Sequence, residues 1–582
     1  WDFWSAGPLQ LANIASSSSD QVTYTSGRLL VNTFNAYGTY QNTFAGAHNV
    51  KVIAGVNSEE DENINFFASR KGLLDPSQAE LGLTYGAPND GSSGSGVPLG
   101  WSTAGHGKQA FAGYFGRINY DYKGKYLLEL NGRYDGSSAF PPQDRWAFFP
   151  SASVGYRISE EKYMDFSKKV LSDLKIRASY GTLGNQDVGG NWYLRQMGSG
   201  QASWIDNTGV YAQYISQPIS VANSLKWEKV STKDIGLDAR LFDNHIGVTF
   251  DWYERNTEGM IQPTSAPSTF GTGGPRINAG NFRNRGYEIS VDANYAIGRD
   301  LLIYGSVGFS DGKTVFTKWD NPNQSIYSSN SINYVGKTYG EIWGFETAGY
   351  FADAADVTKS ADQTKLQSGN FVYGPGDIKY KDLNGDGVID GGKMTLSDHG
   401  DLKVIGNTQP RYQYNARVGA SWKNFDVDIF LQGVGKRQFW GTGNIALPMW
   451  QSLDILYKNQ LDYWTPTNTN AKYPVPFPNN QSGKIGGLMA GGNNFYPQSK
   501  YLLNLAYCRL KNVTIGYTLP GSILSRYNIK KLRIYLTGEN LAEISNVGAP
   551  IDPEITDGYL GFIGRTFPFM RSYAFGVQLS FQ

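Results

Sequence analysis

A single cysteine, Cys508, stands among 582 residues, so no disulfide can form within the chain, and no Ser/His/Asp companions flank it to suggest a nucleophile. The chain also lacks any run of about twenty apolar residues, which excludes membrane-spanning helices. Its net charge is only +1, so nothing points to nucleic acid or to a uniformly charged partner. Four histidines, His48, His106, His245 and His399, are too widely spaced to form a metal or catalytic set. The first residues, Trp1-Asp2-Phe3-Trp4, show no basic or apolar leader for export. An exported chain of this kind is expected to be a mature or downstream piece of something longer.

What the chain has in quantity is aromatic and turn-forming residues: 38 Tyr, 30 Phe, 14 Trp and 70 Gly. They are arranged in strands of period two. Tyr287, Ile289, Val291, Ala293 and Tyr295 alternate with Glu288, Ser290, Asp292 and Asn294, giving one apolar face and one polar face. The same alternation recurs in Ile246–Glu254, Phe425–Gly433, Leu532–Gly538 and Tyr573–Phe581. Strands this long, apolar on one side and polar on the other, suit a tilted membrane strand between lipid and a wet lumen. The expected fold class is therefore all-β, a transmembrane antiparallel β-barrel whose single sheet runs through residues 1–582.

The strand candidates come in pairs: 27–44 with 48–58, 110–122 with 125–137, 148–159 with 171–183, and 231–243 with 245–257. Further pairs are 285–297 with 300–313, 411–424 with 425–436, and 506–519 with 531–542, before a last strand at 570–582. Short connections fall near Gly46, Lys123-Gly124, Asp243-Asn244, Gly298-Arg299 and Lys423-Asn424, while 160–170 and 520–530 are long enough for a helical turn. Long connections fall at 59–109, 184–230, 258–284, 314–410, 437–505 and 543–569, with 138–147 the shorter exception. Alternation of tight and long connections matches outer-membrane barrels, where the long loops are extracellular. The count is about fifteen strands, whereas bacterial single-chain barrels have even numbers, so the first strands of the barrel are expected to lie outside this chain. A soluble β-sandwich or propeller shares the alternation. Strand length, loop asymmetry and the aromatic-ended last strand, Tyr573 to Phe581, argue against it.

The strongest local motif is Asp382-Leu-Asn384-Gly-Asp386-Gly387-Val388-Ile-Asp390. Oxygen ligands at positions 1, 3 and 5, a Gly at 6, a backbone carbonyl at 7 (Val388) and an acid at 9 fit a calcium loop. An Asp/Asn/Gly-rich turn without metal is the alternative. Position 12, normally acidic, is Lys393. A Ca2+ ion here would be structural, stiffening a 314–410 loop that is expected to have no core of its own. Trp192, Trp204, Trp319, Trp343, Trp440, Trp450 and Trp464 in the long loops are read as loop packing or membrane-interface anchors rather than as ligand-stacking groups. The stretch Tyr473–Pro478 reads as a rigid loop segment.

Four segments carry a family resemblance. They are Tyr122–Ser138 (YKGKYLLELNGRYDGSS) with Arg145-Trp146 and Phe149–Ser153, and Leu174–Gly181 (LKIRASYG) with Gly184-Asn185-Gln186. The others are Leu225–Glu228 (LKWE) before Ile235–Asp238 (IGLD), and Arg509–Tyr517 (RLKNVTIGY) with Leu519-Pro520 and Gly538–Leu541 (GENL). In this order the chain resembles the SusC/RagA family of TonB-dependent outer-membrane transporters. The resemblance implies part of a 22-stranded barrel occluded by an N-terminal plug. The plug has no counterpart here, being carried either by a missing N-terminal segment or by a separate polypeptide. It also implies a SusD-like surface lipoprotein as lid, TonB acting through the plug, and a dimer of transporter–lid pairs. Similar transporters place an acid just before an Ile-Gly pair. Before Ile405-Gly406 that position falls to Asp401, with Asp398 as the second choice.

The sequence thus points to the barrel of a TonB-dependent importer of bulky nutrients, oligosaccharide or peptide, catalysing no reaction. The alternatives are a passive porin or structural outer-membrane barrel, and a secreted soluble calcium-binding β-protein.

Overall fold

The computed structural model describes residues 21–581 apart from 85–104, 189–191, 206–210, 265–268, 327–332, 368–370, 449–455, 477–492, 525–528 and 555–568, and the single positions 76, 79, 196, 219, 223, 270, 272, 444 and 549. Trp450 and the end of the Tyr473–Pro478 stretch lie outside the described residues, as do Trp1–Trp4.

One antiparallel sheet of fifteen strands dominates. In chain order they are β1 (Gln21–Phe44), β2 (His48–Lys71), β3 (Gly105–Tyr122), β4 (Tyr126–Ser137) and β5 (Trp146–Arg157). Then come β6 (Leu171–Asn185), β7 (Glu228–Leu241), β8 (Ile246–Pro263), β9 (Arg276–Ile297) and β10 (Leu301–Lys318). The sheet ends with β11 (Arg411–Trp422), β12 (Phe425–Lys436), β13 (Tyr507–Thr518), β14 (Ile529–Ser545) and β15 (Ser572–Phe581). Each strand pairs with its predecessor, so connections alternate between the two ends: 45–47, 123–125, 242–245, 298–300 and 423–424 are tight on one end, and the longest ones all leave from the other. The tight turns are built by residues in left-handed backbone: Lys123 and Gly124 (φ 54 and 68), Asp243 and Asn244 (φ 52 and 67), and Lys423 (φ 55). The 158–170 connection holds two 3-10 turns and 519–528 a short helix, Gly521–Leu524. No helix among the described residues is long and apolar enough to cross a membrane.

Register aligns the apolar residues into rows across the sheet. Phe250 faces Ile289, which faces Phe309, which faces Tyr414. Further on, Val427, Ile515, Leu536 and Phe575 form another row. Phe250, Ile289, Ile515, Leu536 and Phe575 stand exposed, Phe575 and Leu536 at 68% and 60%, while Phe309, Tyr414 and Val427 are half-buried. A water-soluble sheet would bury such rows. Here they form a contiguous apolar belt of the kind that lipid covers.

Several strands run further than the alternation suggested. β1 and β2 pair over their full 24 residues each, roughly 80 Å at about 3.3 Å per residue, well beyond a bilayer. The acidic run Glu59-Glu60-Asp61-Glu62 breaks the apolar pattern but not the pairing. It lies between Leu30–Thr33 of β1 and Lys108–Phe111 of β3, with Lys108 paired to Glu60. Outside lipid a strand needs no apolar face, so its polar extension looked like loop. For the same reason β8 and β9 reach Pro263 and start at Arg276, shortening the connection between them.

β1 and β15 are the sheet's two edges, and they run in the same direction. Joining them directly would make a parallel pair. Closure of a wholly antiparallel sheet needs an odd number of further strands between them, because a bilayer leaves no water to satisfy an open edge.

The buried core does not lie in the sheet. It lies in the long connections, where Phe345, Phe351, Ile378, Tyr380 and Ile389 pack with Tyr473, Phe495, Tyr501 and Leu505. The 314–410 loop was expected to have no core, and this is corrected. The 319–410 and 437–506 connections share a single one, assembled from aromatic residues too scattered along the chain to show a period. A second, smaller cluster joins Phe140 and Phe149 to Trp227, whose rings stack on Phe140 and meet Phe149 edge-on.

Candidate functional site

The polar face of the wall is laced laterally. Arg177 on β6, Gly236 on β7 and Asp251 on β8 are directly in register, and Arg177 Nη2 donates to Asp251 Oδ2 at 2.8 Å across the glycine. Arg240, Gly247 and Asp292 repeat this one strand further on, with Arg240 Nη1 2.7 Å from Asp292 Oδ2. On β14, β13 and β12, Arg533 crosses Gly516 diagonally from two positions off register to Asp426, with Nε donating at 2.9 Å. Tyr304 reaches Asp428 over Gly419 at 3.0 Å in the same way. A side chain at the middle position would occupy the bridging groups' space: a methyl on Gly236 would lie 2.6 Å from Asp251 Oδ1 and against the Arg177 guanidinium. Charged side chains therefore lie flat along the wall instead of filling the lumen, as a wide passage or a seated internal domain requires.

Above this wall the outer connections form a cored module. Phe345 N donates to Pro497 O at 2.9 Å and Ser499 N to Phe345 O at 3.0 Å, zipping the 319–410 and 437–506 connections together. Ile378 N donates to Asn494 Oδ1 (2.8 Å), and Asn494 Nδ2 donates to the fully buried Asp377 (2.8 Å). Tyr380 OH donates to Asn493 O at 2.7 Å. Burial pushes the Tyr373, Tyr380 and Tyr501 phenols well above their ordinary value. Trp464 is buried over Gly376, whose φ of 85 brings its backbone under the ring. Trp343 donates to Tyr334 OH at 3.1 Å, Trp319 meets Phe316 edge-on, and Trp440 packs on the core. Trp192 carries Arg276 over its face at 3.9 Å, whereas Trp204 is exposed. Most of the described loop tryptophans are thus packing groups.

The 546–571 connection is tied down by a cluster that no local spacing announces. Arg509 on β13, 3% exposed, pairs with Glu543, with Asp552 (2.8 Å) and with Glu554 (2.8 Å), and Lys511 pairs with Glu554 at 2.6 Å. The alternating acids Asp552 and Glu554 are its only sequence signal, and Asp552 lies 43 residues from Arg509.

The Asp382–Asp390 loop is wound by its own side chains. Asp382 accepts from Gly385 N (2.6 Å) and Gly387 N (2.9 Å), Asn384 from Asp386 N (3.0 Å), and Asp386 from Val388 N (2.8 Å). Asp401 is completely buried and reaches the loop's base, accepting from Leu383 N (2.6 Å) and Asp390 N (3.0 Å). Asp398 instead faces Lys393 at 3.7 Å. The Lys365 ammonium, 2.6 Å from Asp390, and the Gly392 N–H hold the Asp390 carboxyl below its usual range. Hard oxygens on Asp382, Asn384 and Asp386, pre-aimed by backbone amides, are the donor chemistry a calcium ion takes. Among the described residues no three His, Cys, Asp or Glu side chains are already gathered about one point. Closing the loop on an ion requires Asp390 to release Lys365.

Three histidines stay apart: His48 bonds Tyr120 OH (2.8 Å), His245 bonds Asn294 O (2.9 Å), and His399 lies beside Trp343, while the His106 side chain lies outside what the structure describes. Cys508 faces Gly433 and Ile544 in the sheet as a free thiol, hydrogen-bonded to the Tyr414 side chain.

The family model described as "TonB dependent receptor-like, beta-barrel" matches residues 2–541. TonB-dependent receptor P3 of Formosa agariphila is 26% identical over 580 residues, covering 94% of this chain and 52% of that protein. TonB-dependent receptor SusC of Bacteroides thetaiotaomicron is 25% identical over 501 residues, covering 81% and 44%. The chain thus spans about half the length of the curated relatives it matches. Among solved structures, the RagAB peptide transporter superposes with a TM-score of 0.73 at 22% identity, covering 96% of this chain and 56% of that one, which is a likeness of fold. The fifteen-stranded sheet, its apolar belt and the match along nearly its whole length place this chain in the TonB-dependent receptor β-barrel family of the outer membrane, as a relative of SusC.

Proposed function

We propose that this chain supplies barrel wall and outer loops to an active importer of a bulky nutrient, an oligosaccharide or a peptide. TonB delivers energy through a plug carried on a preceding segment or a separate polypeptide, a SusD-like lipoprotein closes the outer mouth, and the assembly is a dimer of transporter–lid pairs. The observation that carries this reading is the division of the chain into a flat, laterally bridged polar wall and a rigid cored module on its outer end. The first can hold a plug and the second can seat a lid. A passive porin needs neither. The chain's work is mechanical, and no chemical step is assigned to any residue. The test is uptake by intact cells with and without the chain: loss of uptake that is also abolished by collapsing the proton gradient is the expected result, and gradient-independent uptake contradicts it.

Within the outer module we assign Ca2+ to the Asp382–Asp390 loop. Asp382, Asn384, Asp386, Asp390 and the Val388 carbonyl would hold it, and buried Asp401 would keep the loop's base closed. The ion's part is structural, stiffening the 314–410 connection and neutralising a loop of three aspartates, of which Asp390 pairs with Lys365.

A further inference from the structure

On β9 the apolar belt has a definite height. Its outward positions run Ile297, Tyr295, Ala293, Val291, Ile289 and Tyr287. From 297 to 287 the strand covers about 33 Å, or about 25 Å along the membrane normal at the usual tilt, the height of the lipid-facing band of an outer-membrane barrel. The neighbouring strands leave the belt at the same level. In register, the row Leu237, Phe250, Ile289 and Phe309 is followed outward by Ile235, Trp252, Tyr287 and Asp311. Trp252 and Tyr287 stand where aromatic side chains mark the lipid–water interface. Asp311 is already held by Arg411.

The next outward row is charged. Lys233, Glu254, Arg285 and Lys313 stand side by side on β7, β8, β9 and β10, and Arg283 takes the following outward position on β9. Four cations therefore accompany a single acid. Glu254 is only 10% exposed and accepts from Arg285 Nε (2.5 Å) and Asn256 Nδ2 (3.0 Å), with Lys233 at 3.9 Å. Lys233 and Arg285 themselves are 60% and 53% exposed. Lys313 is exposed, and neither it nor Arg283 pairs with an acid among the described residues. Further out, Lys229 stands opposite Glu258 and the two balance. On β2 the outward positions beyond the belt are Glu60 and Glu62, so the positive rim does not run round the whole sheet. Neighbouring strands lie about 4.8 Å apart and successive outward positions about 7 Å, which puts Arg283, Arg285 and Lys313 within reach of one phosphate. Guanidinium forks match phosphate oxygens bidentately.

We propose that the outward faces of β7–β10 bind a phosphate-bearing lipid of the outer leaflet. Its acyl chains lie on the belt beside Ile235, Trp252 and Ile289, and Arg283, Arg285 and Lys313 hold its phosphate, with Lys233 at the margin. The cations begin where the belt ends, so one molecule with an anionic head and apolar chains satisfies both surfaces, which a free anion does not. The site lies on the far side of the wall from the lumen and is independent of what the barrel imports. The test uses the transporter complex purified from its native outer membrane and exchanged into a neutral, lipid-free detergent. It is offered phosphatidic acid, the diacylglycerol with the same chains, and inorganic phosphate. The expected result is binding of phosphatidic acid in preference to the diacylglycerol. Arg283→Gln combined with Lys313→Gln should weaken it about tenfold or more, the scale of removing two cations at a membrane surface. Arg255→Gln, which removes a cation from the lumen face of β8 at the same height, should leave binding unchanged. The heat-shifted band in detergent gels reports whether each barrel is folded. If the double variant lowers that yield, Lys313→Gln alone gives the reading, at about fivefold. Equal binding of the two lipids, binding of neither, no loss in the Arg283 and Lys313 variants, or the same loss in Arg255→Gln overturns the site. Full displacement of the lipid by inorganic phosphate also overturns it, showing a free-anion site only.

Discussion

Arg177 and Asp251 meet across an intervening strand because Gly236 stands between them without a side chain. The pair is only 29% and 20% exposed, so its hydrogen bonds are less screened than those of a surface ion pair. Gly236→Val should break it and cost about 1.5–3 kcal/mol, the scale of a lost hydrogen bond to a charged group. The readout is the temperature at which the folded barrel converts to its slower-migrating form in detergent gels. Gly46→Ala, in a short turn where a methyl group meets nothing, serves as a comparison for backbone strain alone.

Ile289 and Val291 lie on the apolar belt, while Ser290 between them faces the lumen. Val291→Arg should cost about 2–4 kcal/mol if it sits near the bilayer midplane. Ser290→Arg should cost much less. Equal folding yields of the two variants into lipid vesicles would contradict the assigned faces.

Phe351 is 1% exposed in the outer module's core. Phe351→Ala should destabilise that module by about 3–5 kcal/mol. Limited proteolysis should then cut within 319–410 and 437–506 together, because the two connections share one core, while the barrel keeps its heat stability. Cleavage confined to one connection would argue against a joint core.

The strand order and the side on which each long connection leaves were legible in the sequence, since period-two alternation and tight-turn residues such as Lys123-Gly124 are local signals. The polar extensions of β1 and β2 were not, because Glu59–Glu62 carries no apolar face and is held by partners on two other strands. Nor was the outer core: Tyr380 and Asn493 meet across 113 residues, and Phe345 and Tyr501 lie in segments without any period. The glycines inside strands were visible as glycines. That Gly236 and Gly516 carry ionic bridges appears only once three strands are in register. The calcium motif is local, and the structure adds the role of Asp401, which binds backbone amides at the loop's base.

Replacing Asp382 and Asp386 together with Ala removes two of the side chains that wind the loop. Chelator should make the unaltered 314–410 connection more sensitive to protease, and the double variant should already be as sensitive without it. Identical digestion of the unaltered protein with and without chelator would contradict bound calcium.

Three carboxyls of the outer module are held below their ordinary values: Asp356 by Lys379, Glu346 by Lys403 and Lys381, and Asp390 by Lys365. With folded values below unfolded ones, their stabilisation is complete above the unfolded values, 3.8 for Asp and 4.5 for Glu, and is lost as pH falls through the depressed folded values. Protease sensitivity of the outer module should therefore stay flat from neutral pH down to about pH 4.5 and rise below it. A rise already complete at about pH 5 would place the controlling groups elsewhere.

The most direct test of the account is to extract the chain from its native membrane in mild detergent and identify by mass spectrometry every polypeptide that accompanies it. The account predicts that the chain needs detergent, and that it emerges with a plug-bearing segment, on its own or another polypeptide, and a lid-type lipoprotein. Recovery of the chain alone in buffer without detergent would contradict it.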